Sequence, residues 1–138
     1  MFRVTYPLRF AHCDPAGIAY YPRYFELCDA AVEDWTAAVL GASRRVMHME
    51  QGLGLPTVDL KASFTAPSRL GDLLDIGVAV ERVGRSSIDL ALDISSDGEP
   101  RFAVRYVQVL TNLRENRATP WPPEMLRRIE GAINRKTA

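Results

Sequence analysis

The pattern that most constrains this fold is a change of hydrophobic period along the chain. Residues 3–11 alternate apolar and polar side chains, as a half-buried strand does. Residues 22–40 then place apolar side chains at every third or fourth position, which is typical of an amphipathic helix. Alternation returns in four later segments, before a final helical stretch. A chain with this pattern buries its apolar surface by packing one face of a sheet on one long helix.

Turn and cap residues set the bounds of these segments. Pro22 suits the first helical position, where its missing N–H is not needed, and Gly41 suits the helix end. Asp97-Gly98 is a strong hairpin signal. A second short helix is predicted over residues 44–51. The remaining segments are strands in antiparallel succession over residues 57–66, 74–81, 88–95 and 102–112, and a terminal helix over residues 123–135.

Length and composition favour one domain over residues 1–138. We expect an α+β fold in which an antiparallel sheet of about five strands wraps a central helix. Hydrophobic residues make up 47% of the chain and charged residues 25%, which are ordinary globular values. The balance of 17 Lys+Arg and 17 Asp+Glu gives no cationic surface for nucleic acid.

The chain carries no signal for a membrane or for secretion. No apolar stretch approaches the about 20 residues that a membrane span needs, and the first ten residues contain charges and no apolar run. Two cysteines, Cys13 and Cys28, are too few for a disulfide framework. We therefore expect a cytoplasmic protein that binds neither membranes nor nucleic acid.

Charge is nevertheless unevenly distributed along the chain. Residues 14–34 contain five acids and one base, whereas residues 101–138 contain eight bases and three acids. This asymmetry is consistent with a solvated face and with a bound anion.

Residues 10–25 carry the pattern that indicates chemistry. Asp14 stands in an Asp-Pro turn, and the long helix begins about eight residues later. The unpaired N–H groups at the start of that helix, near Tyr21, carry partial positive charge and can polarise a carbonyl group. A carboxylate in the same field stays ionised, which suits a nucleophile or a general base. A carboxylate beside a helix N-terminus is a minimal site for acyl transfer.

This segment resembles the signature of the hotdog-fold acyl-CoA thioesterases, specifically the 4-hydroxybenzoyl-CoA thioesterase family. The matching residues are Asp14-Pro15-Ala16-Gly17-Ile18 and Tyr21-Pro22-Arg23-Tyr24. The resemblance implies a single hotdog domain that hydrolyses an aromatic or short-chain acyl-CoA to the free acid and CoA. It implies that Asp14 is the catalytic nucleophile or general base and that the Tyr21 N–H donates to the thioester carbonyl. It implies no metal and no cofactor, since CoA is part of the substrate.

The resemblance also implies substrate-binding residues and an assembly. Arg85 and Arg117 match basic positions that contact the CoA nucleotide in relatives, and Asp29 matches a helix acid that faces a phenolic hydroxyl in aromatic-specific relatives. Family members are typically homodimers or homotetramers with the active site between subunits. All three side chains are also consistent with ordinary solvated positions.

Several alternatives remain open from the sequence. A non-catalytic acyl-CoA binding or sensing protein on the same fold would keep the pocket without turnover. A dehydratase of the same fold would need an acid and a histidine in a different motif. A Cys13 thiolate with His12 as its base is disfavoured, because neighbouring residues of a strand point to opposite faces. The two His and two Cys residues lack the spacing of zinc ligands.

Overall fold

A computed structural model describes residues 1–137, with side chains over residues 1–133. The strands are β1 (Phe2–Pro7), β2 (Leu53–Gly54), β3 (Thr57–Phe64), β4 (Leu73–Val83), β5 (Ser87–Ser96), β6 (Glu99–Val109), β7 (Thr111–Asn112) and β8 (Arg117–Ala118), and the two longer helices are α1 (Pro22–Trp35) and α2 (Pro123–Thr137). The main sheet has five antiparallel strands in the order β1-β4-β5-β6-β3, and a second, smaller sheet has the order β2-β7-β8. This confirms the predicted α+β class.

The predicted central helix forms, with a change of pitch near its end. Helix α1 begins at Pro22, and its buried face packs on the sheet. The helical path continues through wider π-type turns over Thr36–Leu40 and ends at Gly41. A second π-type segment, Val46–Gln51, falls within the predicted short helix. The buried residues of α1 are Tyr24, Leu27, Cys28, Ala31, Val32 and Trp35.

The first strand is shorter than its alternation predicts. It ends at Pro7, which pairs with Leu73, the first residue of β4. Beyond Pro7 the regular ladder ends; Leu8 still donates to the Asp72 carbonyl and accepts from the Gly71 N–H, and the chain then forms a 3₁₀ turn over Phe10–His12. The predicted strand over residues 3–11 is therefore wrong after residue 7. Residues 8–13 lead from the end of β1 into the turn that contains Asp14.

The predicted antiparallel succession is wrong at one step, because β3 and β4 are not neighbours. Strand β3 pairs with β6 at one edge of the sheet, while β4 lies between β1 and β5. The crossing loop, residues 65–72, is held by the buried Arg101, whose guanidinium donates to Asp72 at 2.7 Å and to the Pro67 carbonyl at 3.2 Å. These hydrogen bonds from a buried guanidinium hold the crossing loop in place. The alternation of apolar and polar residues along a strand does not predict them.

Strand β3 leaves apolar side chains uncovered. Val58, Leu60 and Phe64 are 61%, 46% and 54% exposed, although the inward-facing apolar side chains of β4, β5 and β6 belong to the buried core. The free hydrogen-bonding edge of β3 and this apolar surface lie together at one side of the sheet. Within residues 1–137, no helix is both long and apolar enough to cross a membrane.

Candidate active site

Asp14 is fixed in a tight turn at the start of the motif. Its Oδ1 accepts hydrogen bonds from the N–H groups of Ala16 at 2.9 Å and Ile18 at 3.4 Å. Its carbonyl oxygen accepts from the Gly17 N–H at 3.0 Å, and Gly17 has a φ of 77°, which favours glycine. Oδ2 has no hydrogen-bond partner among the residues that the structure describes. The hydrogen bonds to Oδ1 thus orient the carboxylate, while Oδ2 remains free to contact a substrate.

A short hairpin joins this turn to the helix start. Cys13 and Ala19 face each other in an isolated antiparallel bridge, and the Tyr20 N–H donates to the His12 carbonyl at 2.9 Å. The crossing loop supports the hairpin from outside, because the Ala19 N–H donates to the Ser68 carbonyl at 2.9 Å. The chain therefore returns from Asp14 directly to the N-terminus of α1.

The N-terminus of α1 presents one unused donor, the Tyr21 N–H. The Arg23 N–H is occupied by the Tyr20 carbonyl at 2.8 Å, and the Tyr24 N–H by the Tyr21 carbonyl at 3.2 Å. Pro22 has no N–H to offer. The Tyr21 N–H has no acceptor within the described part of the chain, and the aligned peptide dipoles of α1 make its surroundings positive. This group can donate to an oxygen that gains negative charge.

Aromatic side chains form a wall next to this donor. Tyr24 stacks on Phe102 with ring centroids 4.9 Å apart, and Phe64 lies 5.0 Å from Phe102 and 6.0 Å from Tyr21. Phe64 comes from the exposed edge strand, so the wall faces the uncovered side of the sheet. Sequence reasoning missed Phe64 and Phe102 as site residues, because strand alternation marks them only as inward-facing.

Asp29 lies further along α1 and borders an open groove of about 640 Å³. Partial burial raises the pKa of its carboxyl group, and the nearby Arg44 opposes that rise. Arg44 and Gln108 also border the groove. Neither residue was a sequence candidate, since contact between residues so far apart in the chain leaves no local signal.

Arg85 and Arg117 do not meet Asp14 within one chain. Arg85 lies just beyond the end of β4, and its carbonyl accepts from the Trp121 N–H at 3.0 Å. Arg117 lies in β8, is well exposed, and is 3.7 Å from Glu115. Asp14 lies at the other end of the sheet, where the Gly17 carbonyl accepts from Leu70, close to the start of β4. The eleven residues of β4 separate the two ends by about 30 Å.

The structure also argues against a cysteine nucleophile. The Cys13 thiol donates to the Arg9 carbonyl at 3.4 Å, while His12 Nδ1 accepts from the Arg9 N–H at 2.9 Å. Burial and the neighbouring Asp14 raise the pKa of the Cys13 thiol. A thiol with a raised pKa and no basic partner is a poor nucleophile. Among residues 1–137, no cluster of His, Cys, Asp and Glu could hold a metal ion.

An antiparallel sheet of five strands wrapped on one long helix is the architecture of the hotdog class of proteins. The sequence matches the family described as the thioesterase-like superfamily over residues 8–129. The chain belongs to this superfamily. The predicted fold, family resemblance and thioester hydrolase class are therefore confirmed.

Individual relatives agree with this assignment. The chain is 29% identical to a 1,4-dihydroxy-2-naphthoyl-CoA hydrolase of Thermosynechococcus vestitus over 101 residues, covering 73% of this chain and 68% of the relative. It is 32% identical to the 4-hydroxybenzoyl-CoA thioesterase of Pseudomonas sp. strain CBS-3 over 81 residues, covering 58% of this chain and 57% of the relative. A thioesterase superfamily crystal structure from Jannaschia sp. CCS1 superposes with a TM-score of 0.89, at 24% identity, covering 96% of this chain and 92% of the other.

Proposed function

We propose that this protein hydrolyses an acyl-CoA thioester, with Asp14 and the Tyr21 N–H as its catalytic groups. The observation that carries the proposal is that one short hairpin joins a carboxylate with a free oxygen to an unoccupied donor at a helix N-terminus. These two groups serve the two demands of thioester hydrolysis. The carbonyl oxygen must be stabilised as it becomes negative, and the carbonyl carbon must be attacked.

Two mechanisms of hydrolysis fit this geometry, one nucleophilic and one with general-base catalysis. In both, the thioester oxygen accepts a hydrogen bond from the Tyr21 N–H. Asp14 Oδ2 either attacks the carbonyl carbon, expelling the CoA thiolate and leaving a mixed anhydride that water opens, or takes a proton from a water molecule that attacks instead. Each course consumes one water and yields the free acid and the CoA thiol. We propose that neither course uses a metal or a redox cofactor.

We further propose that the active site is assembled from two copies of the chain. An antiparallel pairing of β3 with the β3 of a second copy would extend the sheet and cover its exposed apolar side chains. In that arrangement the Asp14 end of one copy lies beside the Arg85 end of the other. Arg85 and Arg117 of the second copy would then reach the phosphates of a CoA whose thioester lies at Asp14.

Asp29 is proposed to face the acyl group. It lies eight residues after Tyr21, which is about 12 Å along the helix axis. The aromatic wall that includes Phe64 and Phe102 lies close to the start of this path. The two relatives described above are named for hydroxylated aromatic acyl-CoA substrates. We therefore propose an aromatic acyl group in preference to a short aliphatic one.

The test is a kinetic panel with detection of the free CoA thiol. Benzoyl-CoA, hydroxybenzoyl-CoA isomers, and short and long aliphatic acyl-CoAs are compared at equal concentrations. The proposal predicts turnover, with the highest kcat/KM on an aromatic thioester. Tight binding followed by recovery of the intact thioester would contradict catalysis and indicate an acyl-CoA sensor.

A further inference from the structure

The proposed chemistry leaves Tyr24 of the sequence motif without a role. Tyr24 is buried, and its ring stacks on Phe102 in the aromatic wall. Its hydroxyl group donates a hydrogen bond to Ser68 Oγ at 2.9 Å, and Ser68 is fully buried in the crossing loop. Packing in the wall needs only the ring, so the hydrogen bond to Ser68 is a separate property of this tyrosine.

Ser68 also contacts the hairpin that contains Asp14. Its carbonyl oxygen accepts a hydrogen bond from the Ala19 N–H at 2.9 Å. Two residues further along the loop, the Leu70 N–H donates to the Gly17 carbonyl, also at 2.9 Å. These backbone hydrogen bonds join the hairpin and the crossing loop, so a movement of the loop would carry the Asp14 turn with it.

Side-chain hydrogen bonds connect the same loop to the sheet and to α1. Arg101, on β6, connects it to the sheet through two hydrogen bonds. Tyr24 connects it to the first turn of α1, only three residues after Tyr21. The hydrogen bond between Tyr24 and Ser68 therefore links the part of the molecule that carries Asp14 to the part that carries the Tyr21 N–H.

We propose that Tyr24 and Ser68 are positioning residues for the reaction. The hydrogen bond between them holds the Asp14 carboxylate in place relative to the Tyr21 N–H. This inference rests on the proposed acyl-CoA hydrolysis, in which both groups act on one thioester carbonyl at the same time. Because rates of reaction fall steeply when catalytic groups move by about 1 Å, loss of this hydrogen bond should lower kcat.

The test compares the wild type with Tyr24→Phe, Ser68→Ala and the double variant, on the acyl-CoA that has the highest kcat/KM in the kinetic panel. Tyr24→Phe keeps the stacked ring and removes only the donor. Each single substitution should lower kcat about fivefold, the factor for one neutral hydrogen bond. The double variant should be no slower than the slower single variant, because both substitutions remove the same hydrogen bond. KM should stay within about twofold of the wild-type value, because the ring at position 24 is kept and Ser68 is buried.

Tyr6→Phe is the matched control. Tyr6 lies on β1, and its hydroxyl also donates to a side chain of α1, the carboxylate of Asp34. Asp34 is in the last turn of α1, about 18 Å along the helix axis from Pro22. Tyr6→Phe thus loses a hydrogen bond of the same kind at the far end of the helix, and it should keep the wild-type kcat.

Four results would overturn the inference. They are a wild-type kcat in both the Tyr24→Phe and the Ser68→Ala variants, a double variant whose loss is the product of the two single losses, an increase in KM with an unchanged kcat, and an equal loss of kcat in Tyr6→Phe. All assays are run below the unfolding midpoint of each variant, so that a loss of kcat is not a loss of folded protein. A wild type that hydrolyses no acyl-CoA would instead overturn the proposed function itself.

Discussion

The two oxygens of Asp14 have different surroundings, and this difference explains the residue type at that position. An aspartate side chain is short enough to bond the backbone N–H two residues ahead, here Ala16 at 2.9 Å. That bond leaves Oδ2 without a hydrogen-bond partner among the described residues. A longer glutamate would not keep the same bond and the same reach together. The identity of Asp14 was readable from the sequence motif, but the free oxygen was not, because it depends on the hydrogen bonds of the folded turn.

Arg101 holds the crossing loop through its hydrogen bonds to Pro67 and Asp72. We expect its contribution to the free energy of unfolding to change with pH. Hydrogen bonds from the Arg69 N–H and from Arg101 hold the pKa of Asp72 below its usual range. A carboxylate with a depressed pKa contributes stability above its unfolded pKa of about 4 and loses that contribution as the pH falls through the folded value. Arg101→Met should cost about 1.5–3 kcal/mol at pH 7.

Urea unfolding of the wild type and of Arg101→Met between pH 7 and pH 3 checks this prediction. The difference in unfolding free energy should be largest at neutral pH and should narrow as Asp72 becomes protonated. A difference that stays constant over this range would show that Arg101→Met does not lose its stability through the ion pair with Asp72.

At the scale of elements, the site is a junction between a turn, a hairpin and a helix. The helix bounds follow from local chemistry at Pro22 and Gly41, so the sequence predicts them closely. Strand order does not follow from local chemistry, because it depends on pairing between distant strands and on the contacts of Arg101 with the crossing loop. For the same reason the sequence predicted Asp14 and Tyr21 but missed Phe64 and Phe102, whose place near Tyr21 depends on packing between distant elements.

The turn that holds Asp14 can be strained selectively. Gly17→Ala places an alanine at a φ of 77° with no atom within 4 Å of the new Cβ, so the expected cost is backbone strain of about 1 kcal/mol. Gly98→Ala is the control, since Gly98 has a φ of 76° and the same open space, in the β5–β6 hairpin. Both variants should lose similar stability by thermal unfolding. Only Gly17→Ala should also lower kcat, because only this turn positions the Asp14 carboxylate. Equal activity in both variants would contradict that positioning role.

In the whole molecule, the free edge of β3 and its exposed apolar side chains form the surface on which we predict a second copy of the chain. We predict an assembly of at least two 15.4-kDa chains, as a homodimer or homotetramer. Leu60→Lys should shift the mass in light scattering toward one chain, because it places a charge on the apolar edge surface. Leu113→Lys is the control, since Leu113 is 42% exposed and Leu60 46% exposed. A wild-type monomer, or equal dissociation in both variants, would contradict an interface at β3.

Complementation tests the shared site in this assembly. Asp14→Asn and the double variant Arg85→Ala/Arg117→Ala are each prepared as homo-oligomers and then mixed under conditions that exchange subunits. A mixed dimer would contain one site with both the carboxylate and the arginines, so activity at low substrate concentration should rise above that of either variant alone. No rise in activity despite demonstrated exchange would contradict a site shared between two chains.

If Asp14 attacks the thioester or activates the attacking water, its carboxylate is essential, and the rate of CoA thiol release by Asp14→Asn tests this directly. This substitution keeps the shape of the side chain and an oxygen that can accept from Ala16, but it removes the carboxylate charge. Cys13→Ala, one residue away, is the control. We expect Asp14→Asn to lose at least about a hundredfold in kcat with an unchanged unfolding midpoint, and Cys13→Ala to keep its activity. Near wild-type hydrolysis by Asp14→Asn, or loss of hydrolysis in Cys13→Ala alone, would contradict it.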